Sequence, residues 1–147
     1  MIQMPLPELI RRFDIAGPRY TSYPTADRFV EAFDAKTQAF WLGQVGCQGI
    51  AKPISAYLHI PFCQSVCYYC ACNKIVTRHK EQAVAYRKLV EREIDLNLDA
   101  MGSPGLISQL HLGGGTPTFM ADEDIEGLLL KLATGFGFTE DAERSIE

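Results

Sequence analysis

From residue 54 onward, the sequence alternates between segments with a two-residue apolar period and segments with a helical apolar period. Residues 54–60 alternate apolar and polar side chains, which predicts a strand. Apolar residues at three- and four-residue steps predict one helix from about Glu81 to Met101 and another from about Asp122 to Gly135. Further strands are predicted over about Ser108 to Leu112 and from about Arg144. This β-α-β-α-β order is typical of an α/β protein with a parallel sheet covered by helices.

One face of each predicted strand is polar, although strands of a parallel sheet are normally apolar on both faces. The polar residues are Tyr57 and His59, Gln109 and His111, and Ser145 and Glu147. A polar inner face suits a barrel lumen that holds a ligand, and such barrels place their active sites at the C-terminal ends of the strands. We therefore expect the N-terminal part of a partial TIM-like barrel. Because three strands cannot close a barrel, we also expect a longer enzyme and an open, association-prone sheet edge.

The residue pattern of the first third of the chain differs from that of the rest. We therefore divide the sequence into an N-terminal arm, residues 1–50, and barrel elements, residues 51–147. Residues 18–29 contain two prolines and two tyrosines and predict an extended, irregular segment, and a short helix is expected from Ala35 to Val45. The 147 residues carry a net charge of −4, with no Lys/Arg-rich run, no long apolar stretch and no secretory signal. We expect a cytoplasmic protein that has neither nucleic acid nor membrane as a partner.

Four of the five cysteines lie within the ten residues from Cys63 to Cys72. In a reducing compartment, such crowding indicates metal ligands rather than disulfides. The spacing of Cys63, Cys67 and Cys70 offers three thiolates, whereas iron–sulfur clusters normally take four. A 4Fe-4S cluster held by three would leave one iron open to a substrate or cofactor. The alternative is structural zinc with Cys72 or His59 as fourth ligand, but the second CxxC pair of many zinc sites is missing.

The loop Cys63-Gln-Ser-Val-Cys67-Tyr-Tyr-Cys70 resembles the CxxxCxYC signature of the radical S-adenosylmethionine superfamily. With PRYTSYPTA, YLHIPFC, CNKIVTR and LHLGGGTPTF, the resemblance narrows to the oxygen-independent coproporphyrinogen III oxidase (dehydrogenase) family and covers nearly the whole chain. It implies an oxidoreductase with a 4Fe-4S cluster, two S-adenosylmethionine molecules and a 5′-deoxyadenosyl radical. The implied reaction is oxygen-independent oxidative decarboxylation of coproporphyrinogen III to protoporphyrinogen IX in haem biosynthesis. A small electron-transfer protein would be the reductant, and the full-length enzyme would be a monomer.

The resemblance also implies roles for individual residues. The positions that match the cluster ligands are Cys63, Cys67 and Cys70. The positions that match contacts to the cluster-bound S-adenosylmethionine are Tyr57, Gly114 and Glu147. The positions that match contacts to the second S-adenosylmethionine are Tyr69, Gly115 and Thr116.

Other candidates have simpler interpretations. We interpret His59 and His111 as hydrogen-bonded structural histidines, although a role for His59 beside the cluster stays open. Cys72 follows the last predicted ligand by two residues and is either a small buried filler or a residue that tunes the site. Cys47 stands alone in the sequence and is interpreted as a free thiol.

Two further expectations concern substrate binding and activity. Arg19 and Tyr20 are expected to fold over the active site, where a substrate with four carboxylates needs cations. We expect this chain by itself to bind the cluster but to show little or no turnover. The alternative functions are a haem-binding or haem-trafficking relative of the same superfamily and a non-catalytic iron–sulfur or zinc module.

Overall fold

The computed structural model describes residues 7–14, 28–47, 53–103 and 105–147. The chain separates into two compact units, Met1–Asp34 and Ala35–Glu147. The predicted boundary after residue 50 and most of the predicted extended segment, together with Arg19 and Tyr20, lie outside the described residues.

The first unit contains a short helix that was not expected from the sequence, α1 (Pro7–Phe13). Its ends carry suitable residues, because Pro7 opens the helix with a preset backbone angle and Glu8 lies in the first turn. Arg11 and Arg12 occupy the last turn, where cations interact favourably with the exposed carbonyl groups.

The second unit has the predicted alternation of strands and helices. Its elements in chain order are α2 (Ala35–Gly46), β1 (Ile54–Ile60), β2 (Phe62–Cys63), β3 (Ile75–Val76), α3 (Glu81–Met101), β4 (Ile107–Gly114), a 3₁₀ turn (Pro117–Phe119), α4 (Asp122–Gly135) and β5 (Phe138–Ile146). The main sheet is parallel with the order β1-β4-β5, and β2 and β3 form a separate two-stranded parallel ladder. The predicted α/β class and parallel sheet are confirmed.

One core joins the sheet to α3 and α4. Its fully or nearly fully buried side chains include Leu58, Ile60, Ile94, Leu110, Leu112, Leu128 and Leu132. Each such side chain contributes about 1.5–3 kcal/mol when it leaves water. Because the apolar residues of β1 and β4 face this core, the polar residues between them face the other way.

The polar strand face lies where the alternation predicts it. Tyr57 of β1 is in register with His111 of β4, and His111 is in register with Ser145 of β5. Side chains at equivalent positions on neighbouring strands point to the same face, so these three lie side by side. This face is exposed or half-buried, in contrast to the buried Leu58 and Leu112.

The last strand begins earlier than the sequence indicates. β5 starts at Phe138 rather than near Arg144, and its pairing with β4 is interrupted between Ile107 and Gln109. Acidic residues, which are depleted in strands, occupy much of the first half of β5, so no apolar alternation marks it. No helix among the described residues combines the length and apolarity needed to cross a membrane.

Candidate metal and cofactor site

The cysteine-rich segment is a loop tied at its base. It leaves the end of β1 through Pro61, and the two-stranded β2–β3 ladder pairs Phe62 with Ile75. The backbone N–H of Ile75 donates to the carbonyl oxygen of Pro61 at 2.7 Å, and that of Thr77 donates to Cys63 at 2.9 Å. These bonds close the loop at the C-terminal end of β1, where a barrel of this class places its chemistry.

The three predicted ligand cysteines lie on this loop in different surroundings. Cys63 ends β2 and is 8% exposed, whereas Cys67 is exposed and Cys70 is half-buried. The backbone N–H of Cys70 donates to the carbonyl oxygen of Cys67 at 3.1 Å, so one tight turn carries both residues. A hydrogen bond from the backbone N–H of Cys72 lowers the pKa of Cys70, and Lys74 lowers it further. The thiolate, the form that binds metal, is therefore favoured at Cys70.

The donor set fits an iron–sulfur cluster. Among the described residues, no three His, Cys, Asp or Glu side chains are grouped to hold one metal ion. A four-iron cluster takes each cysteine on a separate iron, so its ligands do not converge on one point. All four cysteines of the loop are free thiols, three of them at the predicted ligand positions, and the absence of a side chain on Gly115 leaves room for the sulfur of Cys63.

The glycine-rich turn after β4 packs against the base of the cysteine loop. The backbone N–H groups of Gly115 and Thr116 donate to the carbonyl oxygens of Ile60 and Phe62, each at 2.8 Å. A Cβ on Gly115 would lie 2.7 Å from the Phe62 oxygen and 2.9 Å from the Cys63 sulfur. This close approach requires glycine, and it joins the two predicted cofactor-binding segments.

Gly114 needs to be glycine for a second reason. Its φ of +111° lies in the region that residues with side chains rarely adopt. A Cβ there would also meet the His59 ring, 2.4 Å from Cε1.

The polar strand face ends beside this turn. The rings of Tyr57 and His111 are stacked, with centroids 5.6 Å apart and planes inclined by 17°. His111 Nδ1 lies 2.7 Å from the Ser145 hydroxyl, and its Nε2 lies 3.8 Å from Oε2 of Glu147. Partial burial, with Cys72 and Glu147 as further causes, raises the pKa of Tyr57. The phenol therefore stays protonated at neutral pH and remains a hydrogen-bond donor.

His59 connects the strand face to the cysteine loop. Its Nε2 lies 2.7 Å from the carbonyl oxygen of Asn73, and its Nδ1 lies 3.2 Å from the Tyr57 hydroxyl. Because a carbonyl oxygen only accepts, Nε2 carries a hydrogen and donates it to Asn73, and in the neutral ring Nδ1 accepts from Tyr57. The Tyr86 hydroxyl donates to the carbonyl oxygen of His59 at 2.7 Å, so α3 also holds this residue.

The structure brings most of the predicted site residues to one end of the sheet. Tyr57, Gly114, Gly115, Thr116 and Glu147 gather around the base of the cysteine loop. Tyr69 is on the loop itself and is 90% exposed.

Three residues that support the site were not assigned roles from the sequence. Asn73 and Tyr86 hold His59, and the amino group of Lys80 donates to the carbonyl oxygen of Phe119 at 2.7 Å. Lys80 thereby fixes the 3₁₀ turn that follows Thr116. All three contacts use a backbone carbonyl that lies at least 14 positions away along the chain, so no local sequence pattern predicts them.

Comparison with known proteins agrees with this geometry. The profile of the radical SAM superfamily matches residues 57–146. An oxygen-independent coproporphyrinogen III oxidase of Escherichia coli is 45% identical over 139 residues, which is 95% of this chain and 29% of that protein. A protein of the same name from Mannheimia haemolytica is 39% identical over 139 residues, which is 95% of this chain and 92% of that relative.

A solved structure is also similar. The coproporphyrinogen III oxidase (HemN) of Escherichia coli, a radical SAM enzyme, superimposes with a TM-score of 0.78 at 38% sequence identity. The superposition covers 99% of this chain and 31% of that one. The chain therefore spans about 30% of the length of its Escherichia coli relatives.

Proposed function

We propose a cofactor site for this chain, which belongs to the radical SAM superfamily and, within it, to the oxygen-independent coproporphyrinogen III oxidases. The chain holds a 4Fe-4S cluster and binds S-adenosylmethionine at the open iron. The ligands in this proposal are Cys63, Cys67 and Cys70. The observation that carries it is the packing of the glycine turn on the cysteine loop, with Gly115 against the sulfur of Cys63.

The chain's own residues would position the cofactors. A cluster held by Cys63, Cys67 and Cys70 would, once reduced, supply the electron that cleaves a carbon–sulfur bond of S-adenosylmethionine to give methionine and a 5′-deoxyadenosyl radical. The first S-adenosylmethionine is proposed to contact Tyr57, Gly114 and Glu147. The position of these residues at the strand face next to the cysteine loop supports this proposal. His111 lies between the Tyr57 ring and the Glu147 carboxylate and would keep both in place.

A second S-adenosylmethionine is proposed to contact a separate set of residues, Tyr69, Gly115 and Thr116. Exposure of Tyr69 leaves its ring accessible to a ligand. Both sets lie at the C-terminal end of the sheet.

For the whole protein, we propose oxidative decarboxylation of coproporphyrinogen III to protoporphyrinogen IX without oxygen. Support comes from the relatives that are named oxygen-independent coproporphyrinogen III oxidases. A small electron-transfer protein would be the reductant, and we propose a cytoplasmic monomer. The cytoplasm fits a loop whose cysteines must stay reduced to bind iron.

Anaerobic reconstitution tests the proposal. The chain is incubated with iron and sulfide, analysed for both, reduced, and mixed with S-adenosylmethionine. We expect iron and sulfide in equal amounts and formation of 5′-deoxyadenosine. Cys67→Ala should abolish cluster loading and 5′-deoxyadenosine formation. Cys47→Ala, which alters an exposed cysteine outside the loop, should preserve both. Zinc uptake without sulfide would contradict the proposal and support a zinc module.

A further inference from the structure

The hydroxyl of Thr116 faces the most buried thiol of the cysteine loop. Its Oγ1 lies 3.8 Å from Sγ of Cys63, within hydrogen-bond range for sulfur. A thiolate only accepts, so with Cys63 deprotonated the hydroxyl is the donor. Thr116 is exposed as a residue, whereas Cys63 is buried, so the contact lies at the boundary between the loop and solvent.

The backbones of both residues are fixed. The N–H of Thr116 donates to Phe62, next to Cys63, at 2.8 Å. The carbonyl oxygen of Cys63 accepts from Thr77 at 2.9 Å. The backbone N–H of Gly115 likewise donates to the carbonyl oxygen of Ile60, at 2.8 Å. The backbones that carry the oxygen and the sulfur are therefore held next to each other by the fold.

We infer that the Thr116 hydroxyl donates a hydrogen bond to the Cys63 thiolate and raises the reduction potential of the cluster, an inference that rests on the proposed function. One-electron reduction adds negative charge, part of which is carried by the ligand sulfurs. A donor aimed at one sulfur stabilises the reduced form more than the oxidised form. This effect operates without S-adenosylmethionine, so it is separable from the contact proposed for Thr116 with the second cofactor.

The test is a redox titration of the reconstituted 147-residue chain without S-adenosylmethionine, followed by electron paramagnetic resonance. Thr116→Val keeps the shape of the side chain and removes the donor, whereas Thr116→Ser keeps the hydroxyl. Thr134→Val is the matched control, because its hydroxyl bonds the Leu130 carbonyl within α4. We expect valine at position 116 to make reduction less favourable by up to about tenfold, which is about 59 mV for one electron. The serine variant and the control should keep the wild-type potential.

The possible results separate this inference from the proposed function. Equal potentials for wild type and Thr116→Val would overturn the inference and leave the proposed function intact. A wild-type chain that takes up no cluster would overturn both. If Thr116→Val does not load a cluster, Thr116→Ala is titrated in its place. Failure of both variants to load, with normal loading of Thr116→Ser, would assign the hydroxyl to assembly and overturn the inference.

Discussion

Gly115 lies so close to Cys63 that a methyl group on the glycine would stand 2.9 Å from the sulfur. The same methyl group would lie 2.7 Å from the backbone oxygen of Phe62, which cannot move without breaking its bond to Thr116. The glycine turn and the cysteine loop therefore form one unit, although 52 positions separate the two residues in the sequence.

Gly115→Ala is expected to reduce cluster loading sharply and to destabilise the chain by about 1–3 kcal/mol, because overpacking forces the backbone apart. Iron and sulfide analysis after reconstitution, together with urea unfolding, measures both effects. Gly43→Ala in α2 is the control, since within the described part of the chain its Cβ would meet just the Ala100 oxygen, at 3.4 Å. Full loading of Gly115→Ala would show that the turn does not constrain the loop.

Leu128 and Leu130 test the core on a single helix. Leu128 is fully buried and Leu130 is 67% exposed. Leu128→Ala should lower the free energy of unfolding by about 2–5 kcal/mol, because it leaves a cavity between α4 and the sheet. Leu130→Ala should change it by less than about 0.5 kcal/mol. Urea denaturation of the two variants is the measurement, and equal losses would contradict the described packing.

Tyr86 gives the chain a pH-dependent stability. Burial, followed by Glu93 and Tyr57, raises its pKa above the ordinary value of 10.0. As the pH rises, the unfolded chain loses this proton first, so stability is full below about pH 10 and falls above it. Urea unfolding between about pH 8 and about pH 11 should show this fall. Tyr86→Phe should make the fall shallower, and an unchanged slope would contradict the assignment.

This chain alone is expected to form little or no protoporphyrinogen IX from coproporphyrinogen III. It spans about 29% of the Escherichia coli relative, and a substrate with four carboxylates needs several cationic contacts. Fluorescence of the oxidised product under anaerobic conditions is the measurement, with the full-length Escherichia coli relative as positive control. Product formation comparable to that control would contradict the prediction.

The sequence predicts the long elements well because their periods extend over many residues. The alternation in β1 and the helical stripes of α3 and α4 were sufficient to place those elements and the polar face. Strands β2 and β3 have two residues each, which is too short to show a period. The N-terminal half of β5 is acidic and shows none either.

The candidate site is predictable only in part. The spacing of Cys63, Cys67 and Cys70 marks the loop, and the resemblance marks the residues around it. The contacts that join these segments, such as Thr116 to Cys63 and His59 to Asn73, depend on how distant backbones meet. Only the folded chain shows these contacts.

Binding of S-adenosylmethionine to the open iron can be observed directly by electron–nuclear double resonance. The reconstituted chain is reduced and mixed with S-adenosylmethionine isotopically labelled in its amino and carboxylate groups. We predict magnetic coupling between the label and the cluster, because an iron without a cysteine can take these groups as ligands. A reduced cluster with no coupling to the label, its irons all bound by side chains, would contradict the account.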